Sequence, residues 1–580
     1  MLYPGNGHRT FALNKNKLQN GLTLATIKIM DNEIKTALAK VIKGNIDNSL
    51  DKRTLYSHDA SMFEIMPEIV VAPLNSEDIS ALVSYVSQNK STMPNLSLTV
   101  RSGGTCMSGG AINDSIIVDM AANMNNIIAV TPLQAQAQPG VYYRDFEKAT
   151  LEQGAIMPSY PASRDLCTIG GMVSNNAGGE KSLQFGKTEQ FVDELKVVFA
   201  DGKEYVVKPL TKSELDTKMA QGDFEGNLYK QVFELVDGNY DEIKAAKPGV
   251  SKDSTGYHLW DIWDRETGVF NMTRAIVGSQ GTLGIVTEVK FRLVPAAKNQ
   301  GTLVVFLRSM DDLGELIVDV MSHKPTTFEG FDNYTLMLSF KLFFYFYKTI
   351  GWIGMIKLGI QLIPDAFKLM RGIPKMVLLI EFDGDTPEDV AQKVHNLRVD
   401  MKKYNHEALF EEDETEAKSR KFWIMRRESF NLLRKKVKDK HTAPFMDDLI
   451  VPPEVLPQFL PEIRQVITKY KFLATIAGHF GDGNFHIIPL MNIENKKEKA
   501  KLEPAMREIN ALVLKYKGSL SGEHNDGMIR GPWLQDMYGE KVFGYFKTMK
   551  HIFDSENIFN PHKKTDADWT YTMSKVRDKF

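Results

Sequence analysis

From Pro67 onward, short apolar runs alternate with amphipathic stretches whose apolar residues recur every third or fourth position. The first kind predicts strands, the second helices. EIVVAP (68–73), LSLTVRSGG (96–104), SIIVDM (115–120), NIIAV (126–130), LKVVFA (195–200) and AIVGSQGTLGIVTEVKFRLVP (275–295) read as strands. SEDISALVSYVSQNK (76–90) reads as a helix with Ser76 as its N-cap and acids in its first turn. After Pro295 the texture restarts. GTLVVFLRS (301–309) and KMVLLIEFDG (375–384) predict two strands that pair, and DDLGELIVDVMSH (311–323) and TPEDVAQKVHNLRVDMKKY (386–404) predict helices. Strand, helix, strand, helix over that length describes a separate α+β unit. The expected organisation is a polar extension over 1–66 with a helix near Asn32–Lys43, a first unit over 67–297, a second over 298–530, and a closing segment over 531–580 that returns to the first.

The bulk numbers agree with two units. A chain of 580 residues, 43% hydrophobic, exceeds the roughly 250–300 residues over which one core grows. Lys+Arg 71 balance Asp+Glu 73, leaving a net charge of -2. That balance, with no basic tract interleaved with aromatics, argues against nucleic acid as a partner. Cys106 and Cys167 build neither a disulfide framework nor a CxxC metal or iron–sulfur site, and read as reduced thiols. MLYPGNGHRTFALNKNKLQN lacks a basic region followed by an apolar run, so no secretory signal is expected and the location reads as cytoplasmic.

One stretch changes that picture. FKLFFYFYKTIGWIGMIKLGIQLIPDAFKLMRGIPK (340–375) is rich in aromatics, and Lys348 and Lys357 interrupt it too often for a membrane span. Two readings stand: an interfacial segment whose lysines reach anionic head groups on the inner face of the cytoplasmic membrane, or an apolar cap or dimer contact.

Candidate chemistry gathers in glycine clusters. Arg101-Ser102-Gly103-Gly104-Thr105-Cys106-Met107-Ser108-Gly109-Gly110 follows a predicted strand. Glycines there let backbone N–H groups approach a pyrophosphate without a Cβ in the way. The spacing is neither GxGxxG nor GxxxxGK[ST], so neither a Rossmann site nor a P-loop is supported. PASRDLCTIGG (161–171), NNAGG (175–179) and Phe185-Gly186 form a second cluster, and GSQGTLGIVTE (278–288) a third.

The sharpest signal is GHFGDGNFH (478–486). Its GDGN is turn chemistry, and a hairpin there would carry His479 and His486 to facing positions on adjacent strands, a start for a divalent metal site. SGEHNDG (521–527) adds Glu523 as an oxygen ligand and His524 as a base whose ordinary pKa of about 6.5 suits neutral pH.

Together these motifs resemble the vanillyl-alcohol-oxidase/PCMH family of FAD enzymes, and more narrowly its D-lactate dehydrogenase, glycolate oxidase and D-2-hydroxyglutarate dehydrogenase branch. The resemblance covers about residues 67–561. It implies an α+β chain: a PCMH-type two-subdomain FAD-binding domain over 67–297, then an α+β substrate (cap) domain with an antiparallel sheet over 298–530. It also implies that Arg101, Ser102, Gly103, Gly104, Thr105, Ser108, Gly109 and Gly110 wrap the FAD pyrophosphate. Pro161, Ser163, Thr168, Gly170, Gly171, Asn176, Gly178 and Gly179 would follow the pyrophosphate, ribose and isoalloxazine, with Gly281, Thr282, Gly284, Ile285 and Val286 on the adenine side. Some relatives tether FAD through a histidine in the first loop; here the loop has Thr105 and no histidine, so non-covalent FAD is expected.

By the same resemblance His479, His486 and Glu523 hold a divalent metal, zinc foremost, His524 takes the substrate hydroxyl proton, and Asn484 contacts the substrate. FWIMRRE (422–428) resembles the family's W-x-x-R-E stretch, whose arginine grips the substrate carboxylate. Spacing from Trp423 selects Arg426, and adjacency to Glu428 selects Arg427; Arg426 is favoured. Where D-2-hydroxyglutarate enzymes place a lysine before D-x-x-x-P, this chain has Met446, which tilts the expectation to a monocarboxylate such as D-lactate. Larger relatives continue into iron–sulfur domains. With no cysteine cluster here, the expected acceptor is diffusible, a quinone or another carrier.

Overall fold

A computed structural model describes residues 33–333, 335, 374–404, 408–413, 422, 423 and 440–578. Residues 340–373, Arg426 and Arg427 lie outside the described residues, so the expectations placed on them stand on sequence alone. Among the described residues no helix is long and apolar enough to cross a membrane.

Three larger sheets organise the described chain. The first runs Asn45–Asp47, Ile69–Ala72, Ile116–Asp119, Leu98–Arg101, with the last three strands parallel. IVVA and IIVD are buried at every position, as parallel strands covered on both faces must be. Helix Ser76–Asn89 packs Leu82, Val83 and Val86 into one core with Ile69, Val71 and Leu98. Its N-cap is Asn75 rather than Ser76: the Asn75 side chain accepts from the Asp78 N–H, and Ser76 is already helical. Asp78 is drawn elsewhere, its carboxylate accepting from the N–H groups of Lys43, Gly44 and Leu74.

The second sheet is antiparallel: Ile127–Val130, Gln134–Ala137, Ile285–Arg292, Val192–Val198, Glu204–Val207. The single strand expected over 275–295 is shorter. Thr273–Ile276 is a helical turn and the strand starts at Ile285. Gly278 (φ 84), Gln280 (φ 53) and Gly281 (φ 67) between them take left-handed backbone, which no strand accommodates. Helix Leu534–Phe553 brings Leu534, Phe546, Met549 and Phe553 into the core of this sheet. The chain then ties to the first sheet, where Leu98 N donates to Ile558 O and Asn560 N to Leu98 O.

The third sheet is antiparallel and runs Ala408–Asp413, Asn299–Leu307, Met376–Gly384, Thr327–Asp332, Leu473–His479, Asn484–Met491, His441–Thr442, with Leu449–Ile450 also on Asn484–Met491. Asn299–Leu307 and Met376–Gly384 pair over their whole length, as their apolar patterns suggested. Helices Leu313–Ser322, Pro387–Asp400, Leu456–Lys469 and Leu502–Lys515 share one core with this sheet.

Candidate active site

Two interior strands of the third sheet present the histidines. Strands Leu473–His479 and Asn484–Met491 are joined through a 3-10 turn, Phe480–Asp482, and Gly483 at φ 70. A Cβ on Gly483 would lie 1.9 Å from the Val451 carbonyl oxygen, so only glycine fits. The link closes on His479 opposite Asn484, and His486 stands opposite Ala477. The histidines are therefore diagonal neighbours on one face, not the directly facing pair expected from the turn. Diagonal placement still brings their Nε2 atoms to 3.3 Å.

Glu523 completes the convergence. Its Oε1 is 3.2 Å from His479 Nε2 and its Oε2 4.0 Å from His486 Nε2. The other nitrogen of each ring is occupied: His479 Nδ1 meets the buried Glu329 carboxylate, and His486 Nδ1 lies 3.2 Å from Asp447 Oδ1. A carboxylate on Nδ1 fixes the proton there and turns the Nε2 lone pair inward, the usual second partner of a metal-ligating histidine. Two imidazole nitrogens and a carboxylate converging on one point are the ligand types a divalent ion takes, so the donor set fits one. Without an ion, burial opposes charge on His479, yet Glu329 and Glu523 raise its pKa to about 9.

His524 stacks on His486 with ring centroids 5.1 Å apart, and its Nδ1 is 2.7 Å from Asp447 Oδ2. Burial disfavours its cation, but Asp448 and Asp447 outweigh burial and lift its pKa to about 9, above the ordinary imidazole value assumed from sequence. Asp448 also shapes the loop: it accepts from the N–H groups of Glu523 (2.9 Å) and His524 (2.7 Å), from Ser521 Oγ and from Asn484 Nδ2. Asn484 thus has its amide N–H group committed to Asp448 and Leu449 O, while its buried Oδ1 has no hydrogen-bond partner among the described residues. Arg530, fully buried, donates to Asn525 O and Asp447 O and braces both ends of the site.

Several of these partners were not singled out in the sequence: Glu329, Asp447, Asp448, Arg530, and also Lys252, whose ammonium reaches Glu523 and Asp482. Asp447 and Asp448 stand next to Met446, which was noted only for not being a lysine; Met446 itself is buried in the apolar core of the third sheet.

The glycine clusters meet beside these side chains. A Cβ on Gly103 would lie 2.3 Å from Leu166 O, so the first two clusters pack backbone on backbone, and one on Gly179 would lie 2.0 Å from Tyr160 O, just ahead of the second cluster. Thr168 caps helix Ile169–Asn175, and Asn176 ends it in left-handed backbone at φ 50. Gln280 Nε2 donates to Ser108 Oγ and Asn175 Oδ1, and its Oε1 accepts from Gly527 N. Asn525 Nδ2 donates to Gly278 O and Asn175 O. Gly178 abuts the ligand set directly: its Cβ would be 3.2 Å from Glu523 Oε1.

Of the expected FAD residues, Arg101, Ser102, Gly103, Gly104, Thr105, Pro161, Ser163, Gly171 and Val286 are partly exposed, which leaves backbone on this line accessible to a phosphate. Ser108, Gly109, Gly110, Thr168, Gly170, Asn176, Gly178, Gly179, Gly281, Thr282, Gly284 and Ile285 are buried. Arg101 spends one guanidinium N–H on His58 O, and Thr282 spends its hydroxyl on Ser279 O and Tyr257.

Comparison with known proteins now decides the family. The FAD binding domain model matches residues 67–208, and the FAD linked oxidases, C-terminal domain, model matches residues 296–564. The chain belongs to the FAD-linked oxidases. In this FAD-linked oxidase the first match carries the first two glycine clusters, and the second carries His479, His486, Glu523 and His524. It is 29% identical to glycolate oxidase subunit GlcD of Bacillus subtilis over 90% of this chain and 93% of that one. It is 27% identical to D-2-hydroxyglutarate dehydrogenase of Pseudomonas putida over 90% of this chain but only 50% of that protein, so it spans half the length of that relative. A D-lactate dehydrogenase of Anaerostipes hadrus is 24% identical, with 88% and 92% covered. The fold is that of p-cresol methylhydroxylase, with TM-score 0.64 at 15% identity over 95% of this chain and 99% of that one. The α+β, PCMH-type architecture expected from the motifs is thus the one present.

Proposed function

We propose that this FAD-linked oxidase oxidises a D-2-hydroxy acid to the 2-oxo acid, with D-lactate as its preferred substrate. The carrying observation is the convergence of His479, His486 and Glu523 beside His524 on a loop sewn by Gln280 and Asn525 to the glycine clusters. An electron relay needs no such ligand–base set, and a metallohydrolase has no use for a dinucleotide cradle. Bound FAD would supply the hydride acceptor, and a divalent ion among His479, His486 and Glu523 would supply positive charge beside the hydroxyl.

His524 does the proton work. Asp447 Oδ2 lies 2.7 Å from its Nδ1, so Nε2 is the atom left for the hydroxyl proton, and the two neighbouring aspartates stabilise the imidazolium that results. Asn484, anchored through its amide N–H group, would offer the substrate its Oδ1. Arg426 is assigned the substrate carboxylate on its motif alone. Electrons would leave to a quinone or another diffusible carrier, consistent with the interfacial reading of 340–375.

The preference for a monocarboxylate is supported by Met446, an apolar residue near the sequence position where the resemblance to D-2-hydroxyglutarate enzymes expects a lysine. A second reading, D-2-hydroxyglutarate, is favoured by the name of the Pseudomonas putida relative, and glycolate by that of the Bacillus subtilis one. Steady-state kcat/KM on flavin-replete enzyme separates them. D-lactate should exceed D-2-hydroxyglutarate; the reverse order would overturn the substrate while keeping the chemistry, and no turnover of any of the three acids would sink the function.

A further inference from the structure

The Lys252 side chain is 1% exposed, and its ammonium sits between two buried carboxylates, 2.6 Å from Glu523 Oε1 and 2.9 Å from Asp482 Oδ2, with Gly179 O at 3.4 Å. Each neighbour belongs to a different part of the site. Asp482 lies in the turn between His479 and His486, Glu523 is the carboxylate of the ligand set, and Gly179 belongs to the second glycine cluster. The segment holding Lys252 is itself fixed: Ser251 Oγ donates to Asp482 Oδ1, and Ser254 N to Ser521 O.

Two carboxylates buried together are strongly unfavourable without a counter-charge. A bound divalent ion would provide one, but the carboxylates need one equally when the site holds no ion. Lys252 carries that charge within the chain. The same ammonium is also a like charge beside any divalent ion and already engages the oxygen of Glu523 nearest His479.

We propose that Lys252 is a resident counter-cation, a positioning residue that holds Glu523 and Asp482 in place before metal binds and then competes with a divalent ion for Glu523, limiting its affinity. The proposal rests on His479, His486 and Glu523 being a divalent-ion site.

The test uses full-length, flavin-replete protein stripped with a chelator, with Zn2+ as the probe. Zinc affinity is read by competition with a chromophoric chelator, and melting temperature is read with and without zinc. Lys252→Met should bind zinc about tenfold more tightly than wild type or better, and its stripped form should melt on the order of 5 °C lower. Zinc should restore more of the melting temperature in the variant than in wild type. Asp482→Asn should act in the opposite direction, weakening zinc binding, because the ammonium then leans on Glu523 alone. If Lys252→Met does not fold, Lys252→Gln, which keeps a donor and drops the charge, carries the same comparison. Unchanged or weaker zinc affinity in the lysine variants overturns the proposal, as does tighter binding in Asp482→Asn. Wild-type protein that takes up no zinc removes both the metal site and this proposal; wild type that binds zinc with an affinity the lysine variants merely match removes the proposal alone.

Discussion

The glycine clusters and the His479–His486–Glu523 set are built from opposite materials. Around the glycine clusters the specification lies in what is missing: a Cβ at Gly103 or Gly179 would strike a carbonyl oxygen at 2.3 or 2.0 Å. Around the second set it lies in charged side chains drawn from distant segments, with Glu329, Asp447, Asp448 and Lys252 each facing a member of the ligand–base set. Backbone packing sets a shape and tolerates no additional atoms. Charge pairing sets protonation and ion binding, and it tolerates isosteres at a cost that depends on what is left unpaired. The two sides should therefore fail differently.

The largest effects should separate them cleanly. His486→Ala should cost roughly 10²–10⁴ in kcat, the range of a lost acid–base or metal group, while the flavin stays bound. Gly179→Ala should do the reverse, lowering flavin content while kcat per bound flavin holds. Flavin absorbance and activity measured on the same preparations decide this, and loss of flavin from His486→Ala would erase the distinction. A middle-sized effect sharpens the charged side: Glu329→Gln, which leaves the ligands in place, should weaken metal affinity about 10–100-fold, read by metal titration.

The smallest effect is in stability. His258 is buried between Glu189, 2.8 Å from its Nδ1, and Asp253, 3.4 Å from its Nε2. Burial opposes its charge, yet the two carboxylates raise its pKa from 6.5 to about 9. A raised folded-state pKa means the stabilisation is fully present below pH 6.5 and is lost as pH climbs through 9. The melting temperature should fall across that window, and His258→Gln should flatten the fall; parallel curves for the two proteins would show that His258 contributes nothing to it.

The same contrast explains what was legible in the sequence. The glycine clusters and the GHFGDGNFH and SGEHNDG segments are contiguous, so their chemistry stands out along the chain. The third-sheet strands Asn299–Leu307 and Met376–Gly384 were legible because burial at successive positions leaves an unbroken apolar run. The partners of the site were not. Glu329 lies 150 positions from His479, and Lys252 lies 271 from Glu523. Each was one acid or lysine among many until the sheet order and the loop packing brought it inward. Register was hidden for a related reason: GDGN announces a reversal but not which residues close it, so the diagonal placement of His479 and His486 emerged only with the strand pairing.

The most direct measurement is the anaerobic flavin spectrum of the purified holoenzyme as D-lactate is added, with glycolate and D-2-hydroxyglutarate in turn, before and after metal is stripped. The account predicts rapid bleaching of the oxidised flavin band by D-lactate in the metal-replete enzyme and bleaching slowed by orders of magnitude once the metal is gone. A flavin that none of the three acids reduces, or one reduced as fast without metal as with it, would contradict a metal-assisted 2-hydroxy-acid oxidation.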